Sequence, residues 1–455
     1  MRLRTGIGAV AGVRPTMATR AAAAAFLVVA ALVAWVTVTV PIAARLLQLG
    51  VGISMLYVAW LAWRGSRVMR SAYSFGRSGA AEPTGLARGM PFVSLVLPAR
   101  NEAAVIRGAV ASLAGQAYVS PDGAPAYEVL VVDDGSTDGT AEAAMSASSA
   151  AHVAIRPRPA AAGPGTKGAV LAHATPFLRG EVIGAIDADT TVSTSFLERA
   201  MRAWQRDPAA SALQVARHAR NEGASWLTRA QATEQLMDMA SQCGRWATDG
   251  TAELRGNGMF VRRAALEAVG GWNADALTED LDLSTRLAAS GRHIALAPEV
   301  AVEEEAVETV GALWRQRLRW AEGSLRRLLE HGPGLIAGKQ PLSTQADFLA
   351  FAGEFLVPPL FATTIVASLI TIPLPRPADW TVPLSLVFAY GLGVFLLALG
   401  GLSATGMRGL RLVGRATEGA LFLSHWLLVV PVALARIAFM PGVGGFVQTP
   451  RFTGR

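Results

Sequence analysis

The sequence predicts an α/β domain built on an open sheet and flanked by transmembrane α-helices, and three observations carry that prediction. Of the 455 residues, 52% are hydrophobic, and the mean hydropathy of +0.36 is high for a soluble chain. The longest apolar runs gather at the two ends, whereas the middle, from about Arg64 to Gln345, mixes charged and amphipathic segments with short apolar ones. Within that middle, runs of Val, Ile and Leu alternate with helical spacing, as buried parallel strands joined by helices do.

The first element is the apolar stretch from Ala21 to Trp63, broken only near Pro41 and Arg45. A span takes about 20 residues, so the stretch fits two membrane helices joined by a tight turn. Arg2, Arg4, Arg14 and Arg20 precede the pair, and Arg64, Arg67 and Arg70 follow it. The positive-inside rule then places both flanks, and the middle domain, in the cytosol. A cleaved leader is the competing reading, disfavoured by the length of the run and the second apolar stretch behind it. The single cysteine, Cys243, leaves no internal disulfide and suits a reducing compartment.

The middle opens with strand, loop and helix units. Val93 to Leu97 reads as a strand ending at Pro98, and Val105, Ile106, Val110 and Leu113 give helical spacing over Glu102 to Leu113. Val129 to Val132 is the next strand, followed by the loop Asp133 to Thr137 and a helix from about Asp138 to Ser148. The Ala/Gly/Pro stretch from Ala160 to Gly165 reads as a flexible loop, and a helix from Lys167 to Phe177 leads into the strand Val182 to Ile186. Open α/β sheets bind ligands beyond the carboxyl ends of their strands. Three polar clusters fall there: Arg100-Asn101-Glu102, Asp133-Asp134 and Asp187-Ala188-Asp189.

Two acids around an alanine more often make a solvated turn than a site. Following an apolar strand, and standing third in a series of strand-end clusters, Asp187 and Asp189 instead suggest a metal centre. Carboxylate oxygens suit Mg²⁺ or Mn²⁺, which offsets the charge that develops on a departing diphosphate. Asp189 is the expected direct ligand, with Asp187 at the metal or the ribose. Asp133 and Asp134 can accept hydrogen bonds from base and ribose, against the plainer role of capping the next helix.

Lys167 and Lys339 are the only lysines among 41 basic residues. A compact charge at Lys167 suits a phosphate, with an incidental surface lysine as the equal alternative. Asp280, within Thr278-Glu279-Asp280, is the candidate general base for an acceptor hydroxyl; the plainer reading is a first-turn acid favoured by the helix dipole. Gln316-Arg317-Leu318-Arg319-Trp320 continues a helix begun near Val310. There Arg319 would neutralise a diphosphate and Trp320 stack on a sugar, the alternative being an amphipathic helix lying at the membrane interface.

Phe348 to Ile372, Val382 to Ala404 and Ala420 to Met440 are each long enough to span. Arg408, Arg411 and Arg415 mark the loop before the last segment as cytosolic, while Pro431 and Arg436 make that segment a poor simple span. A re-entrant or interfacial course is expected for it. The net charge of +7 suits anionic headgroups, and no basic patch interleaved with aromatics points to nucleic acid.

With Leu97 to Glu102, Val131 to Asp138, Asp187 to Asp189, Thr278 to Asp280 and Gln316 to Trp320 in this order, the chain resembles the family 2 glycosyltransferases. The resemblance runs from about Pro91 to Glu330 and is to the membrane-integrated group related to cellulose and hyaluronan synthases. It implies a GT-A (Rossmann-like) cytosolic domain in a multi-pass protein of the cell membrane, and inversion at the anomeric carbon. It also implies Asp280 as the catalytic base, with Glu279 beside it in the catalytic site. Pro98, Arg100, Glu102, Asp133, Asp134, Lys167 and Asp187 would surround the nucleotide sugar, Asp187 and Asp189 the Mg²⁺ or Mn²⁺, and Gln316, Arg319 and Trp320 the acceptor and diphosphate. Ala172 stands where Asn is common in the family, and Arg100 where Tyr or His is frequent. Phe446 to Arg451 resembles a gating segment that faces the cytosol.

The implied organisation is a membrane hairpin at residues 1–70, the GT-A domain at 90–300, amphipathic interfacial helices at 301–345 and a C-terminal membrane region at 346–455. Val302 to Glu305 and Arg319 to Gly323 are most similar to bacterial enzymes that glucosylate diacylglycerol. That branch implies transfer of a hexose, from UDP-glucose or a similar donor, to a membrane lipid acceptor such as diacylglycerol. A processive synthase that elongates and secretes a β-linked glycan is the alternative, against which Glu354, His425 and Arg436 are few polar residues for a tunnel. A non-catalytic nucleotide-sugar sensor is a third reading, which loss of Asp280 or of the acidic pair would have favoured.

Overall fold

The computed structural model describes residues 14–77, 90–159, 165–337, 341–374 and 381–440. Arg2, Arg4, Lys339, most of the loop from Ala160 to Gly165 and the segment Phe446 to Arg451 therefore lie outside the described residues, as does the side chain of Glu354.

Two helices open the chain, α1 (Met17–Thr39) and α2 (Pro41–Arg77), parted at Val40. Pro41 suits a first helical position, where its preset φ helps and its missing N–H is not needed. The α/β domain follows as β1 (Val93–Ala99), α3 (Ile106–Ala114), β2 (Tyr127–Asp133), α4 (Thr140–Met145), β3 (Val153–Pro157), α5 (Lys167–Ala174) and β4 (Val182–Ala185). It continues through α6 (Phe196–Gln205), β5 (Ala212–Ala219), α7 (Trp226–Trp246), β6 (Met259–Arg262), α8 (Arg263–Ala268), α9 (Glu279–Ala289) and β7 (Ile294–Glu304). The remaining helices are α10 (Val310–Ala337), α11 (Leu342–Thr371), α12 (Thr381–Ala404), α13 (Gly409–Leu423) and α14 (Trp426–Phe439).

The strands form one sheet in the order β3-β2-β1-β4-β6-β5-β7. The first four are mutually parallel, β6 runs antiparallel to both its neighbours, and β5 pairs parallel with β7. Alternation along β1 feeds two cores. Leu95 and Leu97 pack with Ile106, Val110 and Phe196 on one face, while Val96 joins Leu171, Leu254 and Leu283 on the other. With both faces covered, β1, β2 and β4 read as continuous apolar runs.

α3 begins later than its spacing predicts. The backbone N–H groups of Asn101, Glu102 and Ala103 donate to the side chains of Ser136, Thr140 and Asp138, so the loop after β1 is pinned to the loop after β2 before the helix starts. α2 runs past its predicted end at Trp63 because its last turns leave the apolar region and pack on the α/β domain, Met69 meeting Met239, Ala240 and Cys243 of α7.

Among the described residues, five helical segments are long and apolar enough to cross a membrane: α1, residues 41–74 of α2, α11, α12, and residues 409–439. The segment from Ala420 to Met440 is not one helix, since Ser424 and His425 break it into α13 and α14. α14 packs through Val430, Ala433 and Leu434 against Ala23 of α1 and Leu325 of α10, and Arg436 donates to the buried Glu322 of α10 at 2.5 Å. That pairing lets an arginine sit in an apolar segment. α13 is tied to the domain by Arg229–Glu418 at 2.8 Å and Arg415–Glu222 at 3.1 Å.

A buried ionic cluster locks α11 to the domain. Asp347 accepts from Arg245 at 3.0 Å and from Tyr57 of α2 at 3.2 Å, and Glu253 accepts from Arg327 of α10 at 2.6 Å and from Arg255 at 2.8 Å. Burial, the strongest influence on Glu253, opposes its ionisation, yet the guanidiniums of Arg327, Arg255 and Arg245 outweigh it and bring the carboxyl down to about 2.

Candidate active site

Because β2, β1 and β4 are adjacent and parallel, their carboxyl ends open on one edge, with Ala99 paired to Asp133 in register. A cavity of about 1030 Å³ lies over that edge, and Pro98, Arg100, Glu102, Asp134, Lys167, Asp187 and Asp189 line it together with Glu279, Asp280, Gln316, Arg319 and Trp320. Of the polar residues singled out at the strand ends, Asn101 and Asp133 do not line the cavity. The Asp133 carboxylate accepts from the N–H and hydroxyl of Ser136, closing the turn after β2; it does not cap α4, whose N-cap position is Gly139. Asp134 instead accepts from Arg158 and from the Gly165 N–H at 2.9 Å, which fixes the chain entering α5.

Lys167 joins the two halves of the site. Its Nζ donates to Asp187 and to the Gly256 carbonyl at 2.6 Å, and stands 3.7 Å from Glu279 Oε1. Burial, the largest effect, would pull the ammonium pKa down; Asp187, Glu279 and Asp280 reverse it and hold the group charged, well above its usual range. Asp189 is buried at the cavity wall, while Asp187 stays 39% exposed on its side chain.

Among the described residues no group of three or more His, Cys, Asp or Glu side chains is arranged to hold a metal ion. The hard carboxylates of Asp187 and Asp189 nonetheless fit Mg²⁺ or Mn²⁺, which commonly keeps waters and substrate phosphates in its shell instead of a full protein cage.

Glu279 and Asp280 start α9. Asp280 accepts from the Leu281 N–H at 2.8 Å. Burial raises the pKa of Asp280 against that hydrogen bond and the pull of Lys167, Arg255 and Arg217; burial likewise raises that of Glu279, against Lys167 and with help from Asp280. Water-poor carboxylates that hold protons more tightly than usual are suited to take one from a hydroxyl.

α10 crosses directly over this helix start. A Cβ on Gly323 would lie 2.3 Å from Thr278 Cγ2, so glycine is what permits the approach. One turn earlier, Arg319 is half-buried near the acids: desolvation lowers its pKa, and Glu279, Asp187 and Asp280 oppose the change. The Arg317 guanidinium lies 4.2 Å over the Trp320 ring and that of Arg217 6.0 Å from it; Arg317 also donates to Gln316 at 2.7 Å and to Glu234.

Sequence reasoning passed over a polar wall. Gln231, Glu234, Gln235, Asp238 and Ser241 of α7 all line the cavity, as do Arg255 and Glu304. Their spacing of three and four is a helical face and was the available signal. Beyond this wall the cavity continues between apolar helices, lined by Met55 and Trp60 of α2, Phe351 and Phe355 of α11, Tyr390 and Val394 of α12, and Val430 of α14.

The family described as "Glycosyltransferase like family 2" matches residues 91–323. The chain is 34% identical over 367 residues to a "Beta-monoglucosyldiacylglycerol synthase" of Synechocystis sp., covering 79% of this chain and 74% of that one. It is 32% identical over 372 residues to a protein of the same name from Nostoc sp., covering 79% and 76%. Among solved structures, the mannosyltransferase PcManGT from Pyrobaculum calidifontis, in complex with GDP-Man and Mn²⁺, shares the fold. Its TM-score is 0.52 at 20% identity, over 83% of this chain and 99% of that one. The strand-end acids, the helix start at Glu279 and the crossing of α10 thus sit in a GT-A domain, and the chain belongs to the family 2 glycosyltransferases.

Proposed function

We propose that this glycosyltransferase moves a glucosyl group from UDP-glucose to the free hydroxyl of diacylglycerol in the membrane, with inversion at the anomeric carbon. The observation that carries this is the continuity of one cavity from the Lys167–Asp187 pair to the apolar side chains of α2, α11, α12 and α14. A lipid whose chains lie among those helices presents its polar end to Asp280. The relatives in Synechocystis and Nostoc are named for glucosylating diacylglycerol, which agrees in acceptor and sugar.

In this reading Lys167 and Arg319 bind the diphosphate and Asp134 and Glu102 orient the nucleoside. A Mg²⁺ or Mn²⁺ ion, held by Asp189 with Asp187, supplies Lewis-acid neutralisation of the diphosphate when bound. The acceptor oxygen attacks the anomeric carbon from the side opposite the diphosphate. As that bond forms, the bond from carbon to diphosphate oxygen breaks and its electron pair leaves with UDP. The hydroxyl proton passes to Asp280. Trp320, held against Arg317, packs on the incoming sugar or glycerol, and the buried surroundings of Asp280 exclude the water that would otherwise compete as acceptor. The site faces the cytosol, on the side marked by Arg64, Arg67 and Arg70.

The test is incubation of the purified protein in detergent with Mn²⁺, radiolabelled UDP-glucose and diacylglycerol. Label in an organic-extractable lipid supports the reading. Label retained in high-molecular-weight polymer, or no transfer to lipid with any nucleotide glucose, contradicts it.

A further inference from the structure

Asn257 is 1% exposed and sits between the two halves of the sheet, in the turn that leads into β6. Its Oδ1 accepts from the Asp187 N–H at 3.2 Å. Its Nδ2 donates to Thr190 Oγ1 at 2.8 Å and to Glu304 Oε2 at 2.8 Å. One side chain thus grips both ends of the Asp187-to-Thr190 turn and ties them to the end of β7. The residue is itself fixed: Gln214 Nε2 donates to the Asn257 carbonyl at 2.9 Å, and the flanking Gly256 and Gly258 have φ of +77° and +65°, a left-handed course that favours glycine. The Gly256 carbonyl is also the acceptor for Lys167, so the same turn sets the lysine beside Asp187.

The chemistry of the position requires an amide. It must accept from a backbone N–H and donate twice in a buried place, one of those bonds going to a carboxylate. Aspartate would set a further acid against Glu304 and Asp187, and an apolar side chain would leave the Asp187 N–H and the Glu304 carboxylate without this partner.

We propose that Asn257 is the positioning residue of the acidic turn, holding Asp187 and Asp189 in the arrangement that binds the cation–diphosphate part of the donor. This rests on the donor reading above, and Asn257 touches no reacting atom. Its consequence is selective. Loss of the amide weakens metal-dependent nucleotide binding while Trp320, which Asn257 does not hold, stays in place.

The experiment is calorimetric titration of UDP into the purified protein in detergent, with and without Mn²⁺, for the unsubstituted chain, Asn257→Leu, Asn257→Ser and Thr190→Val, alongside acceptor KM and thermal melting. Removing such an outer partner of a metal-holding carboxylate typically costs about 10–100-fold in metal affinity. Asn257→Leu is expected to weaken UDP binding with Mn²⁺ by about tenfold or more, and Thr190→Val by less, with metal-free UDP binding and acceptor KM within about twofold. Unchanged Mn²⁺-dependent binding in Asn257→Leu overturns the proposal. So does an equal loss of metal-free binding and acceptor affinity, which marks a structural role only. If Asn257→Leu does not fold, Asn257→Ser and Thr190→Val decide by the same two readings. Failure of the unsubstituted protein to bind UDP under either condition overturns the donor reading instead.

Discussion

Lys167 Nζ lies 3.7 Å from Glu279 Oε1 while it donates to Asp187, so one ammonium links the acids at the end of β4 to those at the start of α9. These acids are separated by about a hundred residues of chain, and in the proposed reaction Asp187 serves the donor and the Glu279-Asp280 pair the acceptor. The lysine is the contact through which the two halves share one charge balance.

Lys167→Ala removes that balance. The expected result is a fall of roughly a hundredfold or more in kcat/KM for UDP-glucose, comparable with loss of one preorganised electrostatic contact. The effect on stability is expected to be smaller, because the Asp187 side chain is 39% exposed and water screens it once the lysine is gone. Kinetics and a melting curve on the same preparation check both statements.

The pH profile carries a second prediction. Burial raises the pKa values of Glu279 and Asp280, so the acid limb of kcat/KM should fall away above the ordinary carboxylate range near pH 4. For these two groups stability runs the other way. Between the ordinary and the raised pKa the folded state binds more protons than the unfolded one, so their contribution is present at low pH and lost as pH rises through that window. Removing the neighbouring charge with Glu279→Gln should move the acid limb to lower pH, read from a rate–pH series.

Much of the donor half was legible because buried parallel strands are uninterrupted apolar runs and their polar ends stand out, as at Asp134, Asp187 and Asp189. What sequence could not resolve was direction. Asp133 and Asp134 are neighbours, yet one closes a turn on Ser136 and the other faces the cavity. The second half of the sheet was hidden for a different reason. β5 carries Gln214, Arg217 and His218 among its apolar residues, β6 has only 4 residues, and their pairing depends on contacts far apart in sequence. The break at Ser424 and His425 and the continuation of α2 onto α7 follow from packing partners that a local reading does not see.

Trp320→Leu should raise the KM for diacylglycerol by about tenfold, the scale of a lost aromatic stacking contact, and leave UDP affinity within about twofold. Arg317 would remain anchored on Glu234, so the loss reports the ring and not a collapsed wall. Acceptor titration at fixed donor, together with UDP calorimetry, separates the two.

Asp347→Leu takes from Arg245 its nearer carboxylate, leaving Glu253 at 3.9 Å, in a site where both side chains of the lost pair are almost wholly buried, 3% and 4% exposed. Breaking a buried pair from one side costs about 3–5 kcal/mol, and replacing both partners with apolar residues is far milder. The single variant should therefore melt well below the unsubstituted protein in detergent, and Arg245→Met combined with Asp347→Leu should recover a large part of the loss. Equal melting points for the single variant and the unsubstituted protein would show that this cluster does not hold α11 to the domain.

The claim on which the mechanism turns is that the acceptor proton goes to Asp280. Asp280→Asn keeps the shape of the site and the Leu281 hydrogen bond while removing the base. The deciding measurement is glucosyl transfer to diacylglycerol by this variant, made beside UDP binding on the same sample. The account predicts transfer lowered by about 10²–10⁴-fold with UDP affinity nearly unchanged. Turnover close to that of the unsubstituted protein would contradict it.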